Sequence, residues 1–150
     1  MNATDYREHS GRGNNLMMDA RLSVERWLGD RVPNCRLDHD GIAILQREPE
    51  SPLMIEIPEG SDVCHLSAPV APMPEHVPRE AALFTALALN QFGRPLGSCW
   101  LAWNPELEVF MLCHNLHIPS TEQVAFNNAL DNFFLALDRA RDQLLAFRVR

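Results

Sequence analysis

Residues 78–92 read PREAALFTALALNQF, and the rest of the chain is arranged around this stretch. At the helical period of 3.6 its apolar side chains cover almost the whole circumference of a helix. Pro78 fits the first helical turn, where a missing N–H costs nothing, and Gly93 fits the left-handed residue that follows a helix. The stretch is too short to span a bilayer. We therefore expect a helix buried between the chain's own sheet and a second cover, for which a second copy of the chain is a candidate.

The composition limits the classes of function. A chain of 150 residues is long enough for one domain with a single core. Its formal net charge of −7 argues against nucleic acid as a partner and is compatible with a basic or amphipathic polypeptide. Every basic residue is arginine, so a Schiff-base lysine and a phosphate-loop lysine are both excluded. No stretch fits a secretory signal or a membrane span, and we expect a cytoplasmic protein without a membrane partner.

Hydrophobic periodicity predicts the elements that precede the central helix. A first amphipathic helix is expected after a polar, flexible segment 1–15, with Asn14 or Asn15 as its cap and Gly29 as its terminator. A period of two then predicts one hairpin from strands 35–38 and 42–47, and a second from strands 53–57 and 63–68. The four prolines from Pro69 to Pro78 predict irregular structure up to the central helix.

Two strands and a long helix are predicted after the central helix. The strands are residues 96–103 and 108–116, joined by a turn at 104–106. Ser120 and Gln123 have the spacing of a capping box for the last helix. Its apolar stripe consists of Phe126, Leu130, Phe133, Phe134, Leu137 and Leu144. The fold class is therefore α+β: one domain, 16–150, ordered helix, strands, helix, strands, helix, with a twisted antiparallel sheet.

The histidines and cysteines are the starting point for any catalytic or metal-binding hypothesis. His114 and His117 lie beside Cys113, but alternation along a strand places the two histidines on opposite faces. The four cysteines contain no C-x-x-C pair and are typical of reduced core residues. We expect no cofactor and no metal. The alternative is a small ligand- or metal-binding enzyme domain that uses Cys113 and His117.

Trp100 and Trp103 lie on one predicted strand at a spacing that places them on opposite faces. Only one of the two can face a core covered by helices. The other is expected to be exposed or to contact a partner.

Residues 83–144 resemble the class I type III secretion chaperones, the Tir-chaperone (CesT) family. The resemblance lies in LFTALALNQFGRPLGSCWLAWNPELEVFMLCHNLHIPSTEQVAFNNALDNFFLALDRARDQL: a Leu/Ala-rich helix closing on Leu89-Asn90, a strand opened by Gly97 and Ser98, a strand ending Leu116-His117-Ile118-Pro119, and a long amphipathic helix. The first half fits the family in element order, from about Leu16.

The resemblance implies a non-enzymatic homodimer in the bacterial cytoplasm. Such a chaperone binds the N-terminal region of secreted effector proteins, keeps it extended for export, and has the secretion ATPase as a further partner. An adaptor that binds a component of the secretion machinery is an alternative within the same fold. The dimer contacts implied by the resemblance are Leu83, Phe84, Leu87, Leu89 and Trp100. The effector-binding candidates that it implies are Leu22, Trp27, Ile42, Ile44, Ile55 and Ile57.

Overall fold

The computed structural model describes residues 10–47, 52–91 and 95–146, with side chains from residue 20 onward. The elements are α1 (Ser10–Arg31), β1 (Ile42–Gln46), β2 (Pro52–Glu56), β3 (Val63–Pro72), α2 (Arg79–Leu89), β4 (Trp100–Asn104), β5 (Val109–His117), a short 3-10 helix (Ile118–Ser120) and α3 (Gln123–Leu145). This order confirms the predicted α+β class and the succession of helix, strands, helix, strands and helix.

The five described strands form one antiparallel sheet in the order β1-β2-β3-β5-β4. Helix α3 contacts β3 and β5, and α1 packs beside α3, so both lie on the same face of the sheet. Alternate strand residues point toward this layer and are buried, among them Ile55, Leu66 and Leu112. The whole predicted stripe of α3 is buried with them. The residues of the other sheet face are mostly half-buried.

The first helix is longer than the sequence predicts at both ends. It begins at Ser10, before the expected cap at Asn14 or Asn15, and continues through Gly29 to Arg31. Glycine costs a helix about 1 kcal/mol relative to alanine. Burial of Trp27 and Leu28 in the preceding turn offsets that cost, so Gly29 does not end the helix. Residues 1–9 of the expected flexible segment lie outside the described residues.

The predicted strand 35–38 is wrong, although this segment runs beside β1. The N–H of Asp38 donates to the carbonyl of Ile42 (2.8 Å), and the Asp38 carboxylate accepts the N–H groups of Ile42 and Asp40 (both 2.9 Å). A side chain therefore replaces a second backbone strand here. These bonds, that of Ile42 first, lower the pKa of the Asp38 carboxyl. The predicted turn before β1 is present, with Gly41 at a φ of 83°.

The prediction of irregular structure after Pro69 is also wrong, because β3 continues to Pro72. The second strand pairs only with residues 65–67 of β3, so the later residues have a strand partner on one side alone. The register against β5 shifts between Pro69 and Ala71. A bulge and a free side are the positions where a sheet tolerates proline. Arg141 supports the bulge by donating to the carbonyls of Pro69 (3.0 Å) and Val70 (3.4 Å).

The central helix is covered on only one side by its own chain. It spans Arg79–Leu89, with Pro78 just before it rather than in its first turn, and Asn90 follows its end. Gly93, the predicted terminator, lies outside the described residues. The helix contacts α3 and β4 through a face that includes Ala82, Ala86 and Leu89. Its other side carries apolar residues that no described part of the chain covers.

The capping box predicted for the last helix does not form. Helix α3 begins at Gln123, preceded by Glu122, and no side chain caps its first turn. The Ser120 hydroxyl is engaged elsewhere: it donates to the carbonyl of His117 (3.1 Å) and lies 2.9 Å from Nδ1 of that ring. The 3-10 helix at Ile118–Ser120 places Ser120 too early in the chain to reach the first turn.

Candidate functional site

The two edges of the sheet, β1 and β4, are the places where a further strand could add. At β4, the side-chain amide of Asn90 donates to the carbonyl of Leu101 (3.0 Å), and its oxygen accepts the Leu101 N–H (2.6 Å). One asparagine thus satisfies both outward backbone groups of Leu101. The edge of β4 is therefore occupied at the second of its five residues.

The β1 edge is covered at its first residue and, on the carbonyl side, at its third. Asp38 binds both outward backbone groups of Ile42, and the Cys35 thiol lies 4.0 Å from the Ile44 carbonyl. Outward groups recur every second residue, so the next ones after Ile42 belong to Ile44 and Gln46. No described residue bonds the N–H of Ile44 or either outward group of Gln46. This end of β1 can accept a strand.

A pocket of about 400 Å³ lies at the same end of β1, between α1 and α3. We call it the edge pocket. Leu45 and Phe134 are buried beneath it, Val32 is half-buried, and Leu135 stands exposed at its margin. The pocket therefore has an apolar floor and is large enough to admit aliphatic side chains.

Two arginine–aspartate pairs border the edge pocket. Arg31 pairs with Asp131, and Arg47 pairs with Asp138 at 2.6 Å. The guanidinium of Arg47 also lies 4.9 Å from the centre of the Phe134 ring. Exposed ion pairs contribute little to stability, but these two hold long side chains across the margin. The margin therefore carries equal numbers of positive and negative charges, while the floor of the pocket is apolar.

The effector-binding candidates lie in different environments. Leu22 and Ile44 are exposed, at 56% and 52%, and Ile42 is half-buried. The other three, Trp27, Ile55 and Ile57, are core residues. The Trp27 ring packs against Phe126 with centroids 5.4 Å apart. A chain bound at the surface does not reach these three side chains.

None of the eight described residues that line the edge pocket was among the effector-binding candidates predicted from the sequence. They are Arg31, Val32, Leu45, Gln46, Arg47, Asp131, Phe134 and Leu135. Leu135 is an apolar residue on the polar side of α3, which is a signal that the sequence contains. The other seven have no signal that marks them as a site, because they meet only when α1, β1 and α3 are brought together.

The dimer candidates also divide into exposed and buried residues. Phe84 and Leu87, three residues apart on the outer side of α2, are 72% and 66% exposed, and we call this pair the α2 patch. Trp100 is 38% exposed, whereas Leu83 is partly buried and Leu89 is buried against the core. Trp103 packs against Phe110 with ring centroids 5.1 Å apart, which confirms that only one tryptophan of β4 faces the core.

The histidines and cysteines are not arranged for catalysis within the described residues. His114 bonds the carbonyl of Ser98 (3.1 Å), whereas His117 bonds Asp62 (3.0 Å). Burial raises the pKa of Cys64 to about 12 and that of Cys99 to about 11, and it also raises the pKa of Cys113. These groups are therefore thiols at neutral pH, which makes them poor nucleophiles.

The one cluster of possible metal ligands in the described part of the chain is Asp38, His39 and Asp40, and it is fully exposed. All three residues lie in the turn before β1, where the Asp38 carboxylate already accepts hydrogen bonds from two backbone N–H groups. The cluster contains neither Cys113 nor His117. None of the described helices is both long and apolar enough to cross a membrane.

An open strand edge beside an apolar pocket is the arrangement of a protein that binds an extended polypeptide. The sequence profile of the Tir chaperone protein (CesT) family matches residues 31–141. The chain belongs to this family of chaperones. No curated protein sequence matches it significantly.

Solved structures with the same fold agree with this assignment. The chain is similar to one in the crystal structure of the ExsC-ExsE complex (TM-score 0.70, 15% identity, 83% of this chain and 95% of that chain covered). It is also similar to chains in the HopA1-SchA chaperone-effector complex (0.64, 11%, 86% and 96%) and in the heterodimeric ExoU-SpcU complex from the type III secretion system of Pseudomonas aeruginosa (0.63, 17%, 80% and 96%). At identities this low, the structural similarity establishes a shared fold and nothing further.

Proposed function

We propose that this CesT-family chaperone acts in the bacterial cytoplasm, where it binds the N-terminal segment of type III secreted effectors and keeps it extended for export. The observation that carries the proposal is the open end of β1 beside the edge pocket. Family membership supports it, and so does the similar HopA1-SchA structure, which is described as a chaperone-effector complex. Binding of this kind needs no bond chemistry, so we propose no enzymatic activity.

The effector segment adds to the sheet as a sixth strand next to Ile44 and Gln46. Main-chain hydrogen bonds to these two residues hold it, and they are indifferent to its sequence. Alternate side chains of the segment point to opposite faces of the sheet, so one enters the edge pocket while the next lies by the exposed Ile44 side chain. Burying one leucine or isoleucine contributes roughly 1.5 to 3 kcal/mol. The pocket therefore selects an aliphatic residue at one position of the segment.

We further propose that two copies of the chain form a homodimer through the α2 patch and Trp100. Phe84 and Leu87 are adjacent on one helix face, and both would be removed from water in a symmetric contact. Leu83 and Leu89 lie beneath or beside this surface and support it from within the chain. In this arrangement the α2 side carries the dimer and the β1 side carries the effector.

Backbone pairing at β1 is tested by substituting Gln46. Gln46→Pro removes one outward N–H donor at an edge position where proline is tolerated, whereas Gln46→Ala keeps that donor. The tagged chaperone is purified from a bacterium that encodes it, and the captured protein is identified by mass spectrometry after limited proteolysis. We expect wild type and Gln46→Ala to protect an N-terminal segment of a secreted protein from proteolysis. Gln46→Pro should lose most or all of this protection.

The same experiment separates the adaptor alternative. Recovery of a component of the secretion machinery, without an effector, would favour an adaptor. Equal protection by the proline and alanine variants would exclude strand addition at this end of β1.

A further inference from the structure

A second elongated depression, which we call the α3 groove, lies between α3 and residues 96–99, the segment that leads into β4. It has a volume of about 550 Å³ and is continued by His114 of β5. Its α3 residues lie on one helix face and are Ala125, Asn128, Ala129, Asn132, Ala136 and Arg139. From Ala125 to Arg139 the helix rises about 21 Å, which is the length of about six residues in extended conformation.

The α3 groove and the edge pocket share one residue, Leu135. The two depressions therefore lie on either side of a single exposed side chain, and a chain that leaves the edge pocket passes over Leu135 into the groove. The floor beyond it is formed by small residues, Ala129 and Ala136, which allow a backbone to approach the helix closely. This geometry suits an extended polypeptide.

Two unused amides line the groove. Asn128 and Asn132 are one helical turn apart and exposed, and no described residue bonds either side chain. A carboxamide can bind the N–H and C=O of one extended residue at the same time. Asn90 does so within this chain, where it bonds both backbone groups of Leu101. Asn128 and Asn132 present the same group to an incoming backbone.

The charge of the groove differs from that of the whole chain. The net charge of the chain is −7, yet the described residues that line the groove include Arg139 and no acidic residue. One N–H of Arg139 donates to the carbonyl of Pro95 (3.2 Å), which positions the guanidinium and leaves its other donors available. His114 is held by its bond to Ser98 (3.1 Å) and carries no negative charge. A carboxylate is the group that a guanidinium binds best.

We propose that the α3 groove binds a second stretch of the polypeptide that pairs with β1, and that this stretch carries an acidic side chain opposite Arg139. The inference rests on the proposed function and adds a specificity to it. The preferred segment has an aliphatic residue for the edge pocket and a glutamate or aspartate several residues away. Backbone amide contacts with Asn128 and Asn132 hold the stretch between them.

The experiment is an NMR titration of the full-length, isotope-labelled protein with two synthetic peptides. Both peptides are capped at their ends, are designed to be extended, and consist of serine and isoleucine apart from one position. That position is glutamate in one peptide and glutamine in the other. We expect shifts at Asn128, Asn132 and Arg139, with the glutamate peptide bound about fivefold more tightly, as a partly exposed charged pair worth about 1 kcal/mol would give. Arg139→Gln should remove this preference, and Arg26→Gln, an exposed arginine on α1, should preserve it.

Asn132→Ala should weaken both peptides equally, because it removes a contact with the backbone, whereas Gln143→Ala on the same helix should weaken neither. Shifts of equal size with acetate alone would mean a simple anion site and would overturn the inference. Shifts confined to β1 and the edge pocket, or absent from the groove at millimolar peptide, would also overturn it. The first of these two results leaves the proposed function intact, whereas shifts in the groove without any at β1 would count against strand addition.

Discussion

The β1 and β4 sides of the molecule use the same device to different ends. On each edge one residue binds the outward backbone groups of a strand residue. Asp38 binds Ile42 through its carboxylate and its own backbone N–H, and Asn90 binds Leu101 through its side-chain amide. At β4 the bonded residue is the second of a five-residue strand, whereas at β1 it is the first of five. Since outward groups recur at every second residue, the described part of β4 keeps only those of Trp103 for a partner strand, whereas β1 keeps the N–H of Ile44 and both groups of Gln46. The position of the bonded residue thus decides how much of each edge can receive a partner.

The largest expected effect concerns the packing of α1 against α3. Trp27→Ala should lower the free energy of unfolding by about 3 to 5 kcal/mol, because Trp27 is 5% exposed and packs on Phe126. Thermal unfolding measures the change. The control Leu22→Ala, on the exposed side of α1, should change stability by less than about 0.5 kcal/mol. If Trp27→Ala were as stable as wild type, Trp27 would be a surface contact and not part of the core.

The second prediction separates the two sides of the molecule. Leu87→Glu should leave each chain folded, since Leu87 is exposed, and should weaken the proposed dimer about a hundredfold by placing a carboxylate in an apolar contact. Light scattering gives the mass, and circular dichroism checks the fold. Leu107→Glu is the matched control, because Leu107 is equally exposed and lies in the turn between β4 and β5, outside α2. A Leu87→Glu protein that remains dimeric would place the interface elsewhere.

The third prediction opens the blocked edge. Asn90→Ala removes both bonds to Leu101 and should cost about 2 kcal/mol, because a buried strand residue loses its partners. The freed edge should also increase association between chains, measured by sedimentation at several concentrations. Gln91→Ala, the exposed neighbour, should do neither. Unchanged stability and association in Asn90→Ala would remove the distinction drawn between the two edges.

The smallest effect is a dependence on pH at the start of β1. The folded state lowers the pKa of Asp38, so its contribution to stability is fully present above the ordinary carboxyl pKa of about 4 and is lost as the pH falls through the lower folded value. The melting temperatures of wild type and Asp38→Asn should therefore differ at neutral pH and converge in acid. Asp40→Asn serves as the control. If the difference in melting temperature stayed constant with pH, the effect of Asp38→Asn would come from the shape of the side chain and not from its charge.

Patterns that depend on one element were predicted well from the sequence. The apolar stripe of α3 is buried as expected, and the turn that closes on Gly41 forms before β1 as expected. The errors occurred where another element takes over a hydrogen bond. Asp38 replaces a strand, Arg141 supports prolines inside β3, and His117 binds the hydroxyl expected to cap α3. Arg141 is distant from the prolines in sequence, so no local pattern predicts its bonds. The partners of Asp38 and Ser120 are close in sequence, but local chemistry alone does not say which of several possible hydrogen bonds forms.

The candidate site was predicted less well for a related reason. The alternation of Ile42, Ile44, Ile55 and Ile57 indicates strands, but it does not say which face the helices cover. The register pairs Ala43 with Ile55 and Ile44 with Met54, so Ile55 faces the helices and Ile44 does not. The edge pocket draws on α1, β1 and α3, and no local pattern predicts such a meeting.

The order of elements, the helices with their apolar faces and the family resemblance all follow from the sequence, because each rests on the spacing of residues along one segment. The faces that remain open follow from the packing of segments against one another. The tertiary structure leaves Phe84 and Leu87 uncovered on the helix of residues 78–92, and it places the open end of β1 beside a pocket. A periodic pattern shows that a side chain is apolar, but what covers it depends on contacts between residues far apart in the chain.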